Sequence, residues 1–309
     1  MRELTSLRIP LGVGAGLVAG VVGLLPWIID GARLPLQNLW GEETLPGDMP
    51  FALLPLSQYY ATEIVALLAM GGVLAGLAAR MISKADPPVW PASAGLILVQ
   101  TAAILQSFLT LGSGLSSDSG MVDPRARLYF VGMLAGTLLA SLLAHFVLWL
   151  VAWPGRELPA LGYGLAAVPI GHWISYLLTA PFGPGGAPGF VMHLPRWVPV
   201  LVVAVALGWL GVRAVGAVIV WAIDFVLLLV MPPLFTAVQA ALGMRVLRGN
   251  LRETTAYAFE MFAAVLPDSV LPAVAAIVAA LLITLAAGLV ARNRTRPGHP
   301  ERRTAPTPP

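Results

Sequence analysis

Apolar runs long enough to cross a bilayer recur along almost the whole of this chain, separated by short polar or proline-rich breaks. Nothing else in the sequence narrows the fold as much. A crossing segment needs about 20 mostly apolar residues to span the roughly 30 Å hydrocarbon core. Only helices and closed barrels satisfy their backbone groups there. The runs are continuous and lack the ten-residue alternation of a barrel strand. Hydrophobic residues make up 58% of the chain and charged residues 11%, with the charges mostly between the runs. The expected fold class is therefore all-α: a polytopic membrane helix bundle of about eight transmembrane helices, with a short amphipathic helical hairpin between spans 7 and 8.

The spans are expected near 9–29, 58–79, 91–112, 128–152, 159–180, 197–212, 214–231 and 269–291. Spans 6 and 7 are short, with only Arg213 and its glycine neighbours Gly211 and Gly216 between them. A single helix from 197 to 231 would be about 50 Å long at 1.5 Å per residue, which overshoots the bilayer even when tilted. Two spans joined by a tight turn are the better reading. Residues 1–291 then form one transmembrane domain. Residues 292–309, basic and proline-rich without apolar periodicity, read as a disordered cytoplasmic tail.

Arginine placement sets the expected orientation. With both termini in the cytoplasm, Arg2, Arg8, Arg80, Lys84, Arg156, Arg213, Arg292, Arg294, Arg296, Arg302 and Arg303 lie inside. Arg33, Arg125, Arg127, Arg196, Arg245, Arg248 and Arg252 lie outside. The last three are the weak point of this topology. The first outer loop supports it, holding Asp30, Glu42, Glu43 and Asp48 against Arg33. Trp27, Trp40, Trp90, Trp149, Trp153 and Trp197 fall near span ends, as an aromatic belt does. The N-terminus has a signal-like charge pattern, but its apolar core is long and no A-x-A site follows, so it reads as a retained span. The Arg, Ala, Gly and Pro bias points to a GC-rich bacterial genome and a plasma-membrane protein. It does not point to a nucleic-acid partner; the expected partner is the lipid bilayer, with the arginine-rich tail on anionic lipid.

Between spans 7 and 8, Pro232-Pro233 is expected to stop a helix. Residues 234–248 and 251–265 then read as two helices of a surface hairpin, the second opened by an Asn250…Glu253 capping pattern. Leu251, Phe259, Phe262 and Val265 give it an apolar side, suited to the membrane interface. In span 1, Gly12, Gly16 and Gly20 form a ladder on one helix face, as Gly72 with Gly76 and Gly132 with Gly136 do in spans 2 and 4. Such ladders let backbones approach closely. They serve packing within the chain or, for Gly12, Gly16, Gly20 and the 234–265 hairpin, a membrane-protein partner.

Span 5 carries the densest chemistry. Pro169 removes an N–H and frees the carbonyl of Leu165, and Gly171 loosens the same turn, so a kink or break is expected at mid-membrane. His172 follows, with Ser175, Tyr176 and Thr179 continuing a polar stripe. Asp224 lies near the middle of span 7, where an ionised carboxylate costs several kcal/mol. It must face the interior, pair with another group, or hold a proton. His172 is the expected partner. Glu63 in the first turn of span 2 and Gln106 in span 3 would join them in an outward-opening polar cavity. His145 reads instead as a hydrogen-bonded core residue.

The chain has no cysteine, which excludes thiolate metal sites and thiol nucleophiles. It has no H-E-x-x-H and no G-x-x-x-x-G-K-[ST]. The stretch LGSGLSS lacks the G-x-S-G spacing of a rhomboid-type protease. No cofactor or metal is expected. The leading functional expectation is a non-enzymatic, transporter-like bundle that binds or moves a small solute or ion, with proton exchange at Asp224 and His172. The alternative is a structural or regulatory subunit of a cell-envelope complex. A third is an outer-leaflet lipid-modifying enzyme using Asp30, Glu42, Glu43 or Glu63 as base.

Overall fold

The computed structural model describes residues 2–35, 45–116, 121, 123–182, 186, 188–244 and 250–294. Trp40, Glu42, Glu43, Arg245, Arg248 and the tail beyond residue 294 lie outside them. Among the described residues there are ten α-helices: α1 (Arg2–Gly23), α2 (Leu25–Ile29), α3 (Ala61–Ile82), α4 (Val89–Leu115), α5 (Pro124–Ala152), α6 (Glu157–Thr179), α7 (Leu194–Leu210), α8 (Val215–Gly243), α9 (Leu251–Val265) and α10 (Val270–Arg294). The one sheet-like contact among them is a bridge between Arg33 and Phe51.

Seven helical segments are long and apolar enough to cross a membrane: Gln58–Ile82, Val89–Leu115, Pro124–Ala152, Glu157–Phe182, Gly189–Leu210, Val215–Gly243 and Leu251–Val290. Each overlaps one of the second to eighth expected spans, the last two with bounds well beyond those expected. The apolar part of α1, Leu7–Gly23, is shorter. The last segment runs 40 residues because a 3-10 turn, Leu266–Ser269, joins α9 directly to α10.

The helices form two packed groups. In the first, α3 packs on α1 and α5, and α1 packs on α4. Glycines set these distances. A Cβ on Gly16 would stand 2.0 Å from the carbonyl oxygen of Ala92 in α4, and one on Gly95 would stand 2.1 Å from that of Val13 in α1. Gly12 faces Pro88 and Pro91, and Gly20 faces Val99. The span 1 ladder is thus occupied inside the chain by α4, and is not a free face for another protein. Gly72 and Gly76 do the same for α3 against Ala144 and Leu148 of α5. Gly132 and Gly136 meet nothing within 4 Å. The second group is α6, α7, α8 and α10, and α6 joins the groups through α3 and α5.

Spans 6 and 7 are separate helices. Gly211 ends α7 at a φ of 76°, a conformation that costs glycine little, and its carbonyl accepts from Trp221 Nε1 at 3.0 Å. The expected stop at Pro232-Pro233 does not form, because α8 continues through both prolines to Gly243. Of the separate helix expected over 234–248, residues 245–248 lie outside the described residues, and 234–243 are therefore the end of α8. Its missing N–H groups are outweighed by packing on three sides, from Phe235 on His172, from Gln239 donating to the Tyr59 carbonyl, and from α9 lying back along it. Asn250 does cap α9, its side chain accepting from Glu253 N at 3.2 Å.

Arg80, Arg156 and Arg213 gather at one end of the bundle, where Arg80 donates to the carbonyls of Trp153 and Gly155 and Arg156 to that of Trp209. At the opposite end the described parts of the first loop fold inward. Leu34, Met49, Ala52, Leu54 and Leu56 are buried there, and Trp27 Nε1 donates to the Ala52 carbonyl at 2.7 Å.

Candidate functional site

Two contacts fix how α6 and α8 lie together. Asp224 of α8 abuts Gly164 of α6, and the ring of Phe235 lies 5.4 Å from that of His172. Residue number rises in the same direction along both helices, so they run parallel, with α7 as the return. Asp224 stands nine residues into α8, about 13 Å along its axis from the arginine end, near the middle of a ~30 Å core. It is 0% exposed. Neither carboxyl oxygen has a hydrogen-bond partner among the described residues. The space it fills exists because Gly164 has no side chain.

His172 sits eight residues beyond Gly164, about 12 Å further along α6. The expected pair of His172 with Asp224 is therefore not formed; each packs on its own opposing residue. Of the kink or break expected at Pro169 and Gly171, no break forms, since α6 is continuous from Glu157 to Thr179. A small residue explains this. Gly171 admits the ring of Pro199, so α7 packs against the helix beside the turn that the proline weakens. Ser175 donates to the Val191 carbonyl at 3.4 Å, and Thr179 to that of Tyr176 at 3.0 Å. The stripe below His172 thus serves its own surroundings.

Beyond His172 the space between α2, α3, α6 and α8 becomes polar. The Tyr176 hydroxyl donates to Asp30 Oδ2 at 2.9 Å. Tyr60 lies within electrostatic reach of Asp30 and Glu63, and its ring stands 6.0 Å from that of Trp27. The Thr62 hydroxyl is 2.9 Å from Glu63 Oε2 and 3.1 Å from Gln239 Oε1, one proton facing two acceptors. Glu63 belongs to this cluster. Gln106 does not: its Nε2 donates to the Phe51 carbonyl at 2.9 Å and its Oε1 accepts from Leu53 N at 2.8 Å. With Ser107 Oγ accepting from Leu54 N at 2.8 Å, it clamps the first loop to α4. An open cavity lined by Gln106 is replaced by a loop seated over this end.

The residues missed by sequence reasoning are those whose role is relational. Gly164 looks like any other membrane glycine until Asp224 is set against it. Gln239 belongs to a stretch taken for a separate helix. Trp173 donates to the Gly23 carbonyl at 2.8 Å where α1 ends. A second polar group also lies within the first helix group. Gln100 donates to the Leu68 carbonyl at 3.2 Å and accepts from Ser141 Oγ at 2.6 Å. His145 Nδ1 lies 2.8 Å from the Ser141 carbonyl oxygen. His145 is half-buried and bonded through Nδ1 alone, its Nε2 being buried without a partner among the described residues.

Chemically, this gives a lone interior carboxyl able to hold or release a proton. About 20 Å along the same helices lies a carboxylate and phenol cluster suited to a cation. Among the described residues no group of three or more His, Asp or Glu side chains is arranged to hold a metal. Comparison with protein-family models, with curated proteins and with solved structures finds no match to this chain.

Proposed function

We propose that the protein is a transporter-like bundle in a bacterial plasma membrane that binds a small solute or ion from its outer face. On this reading α1 counts as an eighth span, both termini are cytoplasmic, and the solute meets the Asp30, Tyr60, Glu63 and Tyr176 cluster first. Asp224 carries a proton that exchanges as the solute passes, and α6 and α8 move against each other at the Gly164 contact. The observation that carries the reading is Asp224 itself. A fully buried carboxyl without a hydrogen bond, at mid-depth in the membrane, is unfavourable in either form, and intramembrane carboxyls of this kind mark ion and proton pathways.

The test is flux. In proteoliposomes, Asp224→Asn abolishes proton-coupled movement of solute or ion while leaving expression and the unfolding midpoint close to the parent. Undiminished flux in a well-folded variant removes the proposal.

A second reading, a structural or regulatory membrane subunit, draws support from a different observation. His172 and Asp224 are packed separately on Phe235 and Gly164, and α6 is unbroken. That is how a static scaffold is built. Its contact surface would be α9, where Leu251 and Phe259 are 76% and 74% exposed. A stoichiometric partner recovered after mild crosslinking, and lost with Phe259→Ser, favours this reading over the first.

A further inference from the structure

The arginine end holds a feature that the solute pathway does not use. A cleft of about 450 Å³ opens between the α5–α6 turn and the α7–α8 turn, lined among others by Trp153, Arg156, Glu157, Arg213 and Ala217. Arg80 lies next to this lining, donating to the carbonyls of Trp153 and Gly155. The guanidinium groups of Arg80 and Arg156 lie 5.4 and 5.3 Å from the ring of Trp209. Three like charges are thus collected in a small space. None is in an ion pair among the described residues, where Arg8 with Asp86 is the one pair found. The first turn of α8 also points here, and its N-cap, Ala214, supplies no side-chain bond. Glu157 offsets part of the charge, its carboxylate lying against Gly216 in that turn.

We propose that this cleft binds the headgroup of an anionic phospholipid, a singly charged phosphodiester held by Arg156 and Arg213. Charge alone would suit any anion; three neighbouring features select a lipid. Trp90 meets Trp149 edge to face and Trp149 meets Trp153 at a tilt near the same end, 72%, 38% and 46% exposed, and exposed tryptophans of this kind favour a bilayer headgroup region. Val212 and Val215 beside the cleft are 44% and 81% exposed, an apolar surface on which acyl chains can lie. Glu157 in the lining disfavours a doubly charged phosphate more than a phosphodiester with one charge. Arg156 keeps donors beyond its bond to Trp209. Arg213 is exposed and projects from the turn, so both can reach a phosphate bidentately.

The experiment reads lipid selectivity in full-length protein. The protein is placed in nanodiscs of phosphatidylcholine with a minor share of phosphatidylglycerol, and retained lipid is counted by native mass spectrometry. Phosphatidylglycerol is retained in preference to phosphatidylcholine, and Arg213→Gln and Arg156→Gln each lower that preference about fivefold, the usual weight of one basic residue near an anionic surface. Arg213→Lys keeps most of it. Inorganic phosphate is titrated separately into phosphatidylcholine discs. If phosphate binds there with the same arginine dependence and displaces phosphatidylglycerol, the occupant is a soluble anion and the proposal is overturned. Equal retention of the two lipids by the parent overturns it, as does an unchanged preference in the Arg156→Gln, Arg213→Gln protein. Arg213 makes no hydrogen bond or ion pair among the described residues, so its single variants keep the test usable if the double variant does not fold.

Discussion

The carboxyl group of Asp224 occupies the place where a side chain on Gly164 would stand: a Cβ built there falls 2.1 Å from Oδ1 and 2.4 Å from the carboxyl carbon. This contact is the point at which α6 and α8 meet at mid-depth. Overpacking a tight interior costs about 1–3 kcal/mol. Gly164→Ala therefore lowers the unfolding midpoint in detergent. Combining it with Asp224→Ala restores most of the loss, because the added methyl then has room. A double-mutant cycle measures this coupling. Additive effects would mean that the two residues do not touch.

Removing the carboxyl alone has the opposite sign from most core truncations. Asp224 makes no hydrogen bond among the described residues, so Asp224→Ala discards no bond and relieves a buried polar group whose unsatisfied state costs about 1–3 kcal/mol. The unfolding midpoint of Asp224→Ala rises or stays level, measured by intrinsic fluorescence during heating. A fall comparable to that of a buried leucine truncated to alanine would show that the oxygens are bonded after all. A gain in stability accompanied by loss of flux is the pattern of a residue kept for function at the expense of the fold.

The loop seated over the end opposite the arginines depends on two side chains of α4. Gln106 accepts from Leu53 N and Ser107 from Leu54 N, each at 2.8 Å. Each such bond is worth about 0.5–1.5 kcal/mol. Replacing both by alanine removes the acceptors of the Leu53 and Leu54 backbone N–H groups. The loop then loosens from α4 while the helices hold, and the Trp27 bond to Ala52 and the buried Met49, Leu54 and Leu56 remain as its anchors. Limited proteolysis cleaves the double variant within 45–57 several times faster than the parent, with the thermal midpoint almost unchanged. Equal cleavage rates would show that the apolar side chains suffice to seat the loop.

Where the sequence is informative, a single segment carries the constraint. Length and hydropathy place spans 2 to 8, because crossing a bilayer is a local requirement. The cost of burying Asp224 is local too, and it singles the residue out before any neighbour is known. The turn at Gly211 follows from a length argument. What is not legible depends on which faces meet. Pro169 and Pro232-Pro233 are helix-breakers taken alone, yet both stretches stay helical under pressure from Pro199, Phe235 and α9. Gln106 reads as a cavity residue by depth, although its partner is a loop more than 50 positions earlier. His172 and Asp224 share a depth range but differ by two helical turns along parallel helices, a register that only packing sets.

The same reasoning separates glycines that hold the bundle together from those that do not. Gly16 and Gly95 sit reciprocally at the α1–α4 crossing, each with a backbone carbonyl of the other helix about 2 Å from where a Cβ would lie. Backbone cannot give way as the end of a side chain can, so the helices must separate. Gly16→Ala and Gly95→Ala each cost 1–3 kcal/mol or more, as overpacking does, and the double variant costs less than the sum because one separation accommodates both methyls. Gly14→Ala and Gly132→Ala are matched controls with nothing within 4 Å, and each gains slightly from the higher helix propensity of alanine, up to about 1 kcal/mol. Unfolding midpoints of the five variants and the parent in one detergent check the ordering. If Gly16→Ala unfolds no earlier than Gly14→Ala, α1 does not lie against α4, and the ladder of Gly12, Gly16 and Gly20 becomes available to a partner outside the chain.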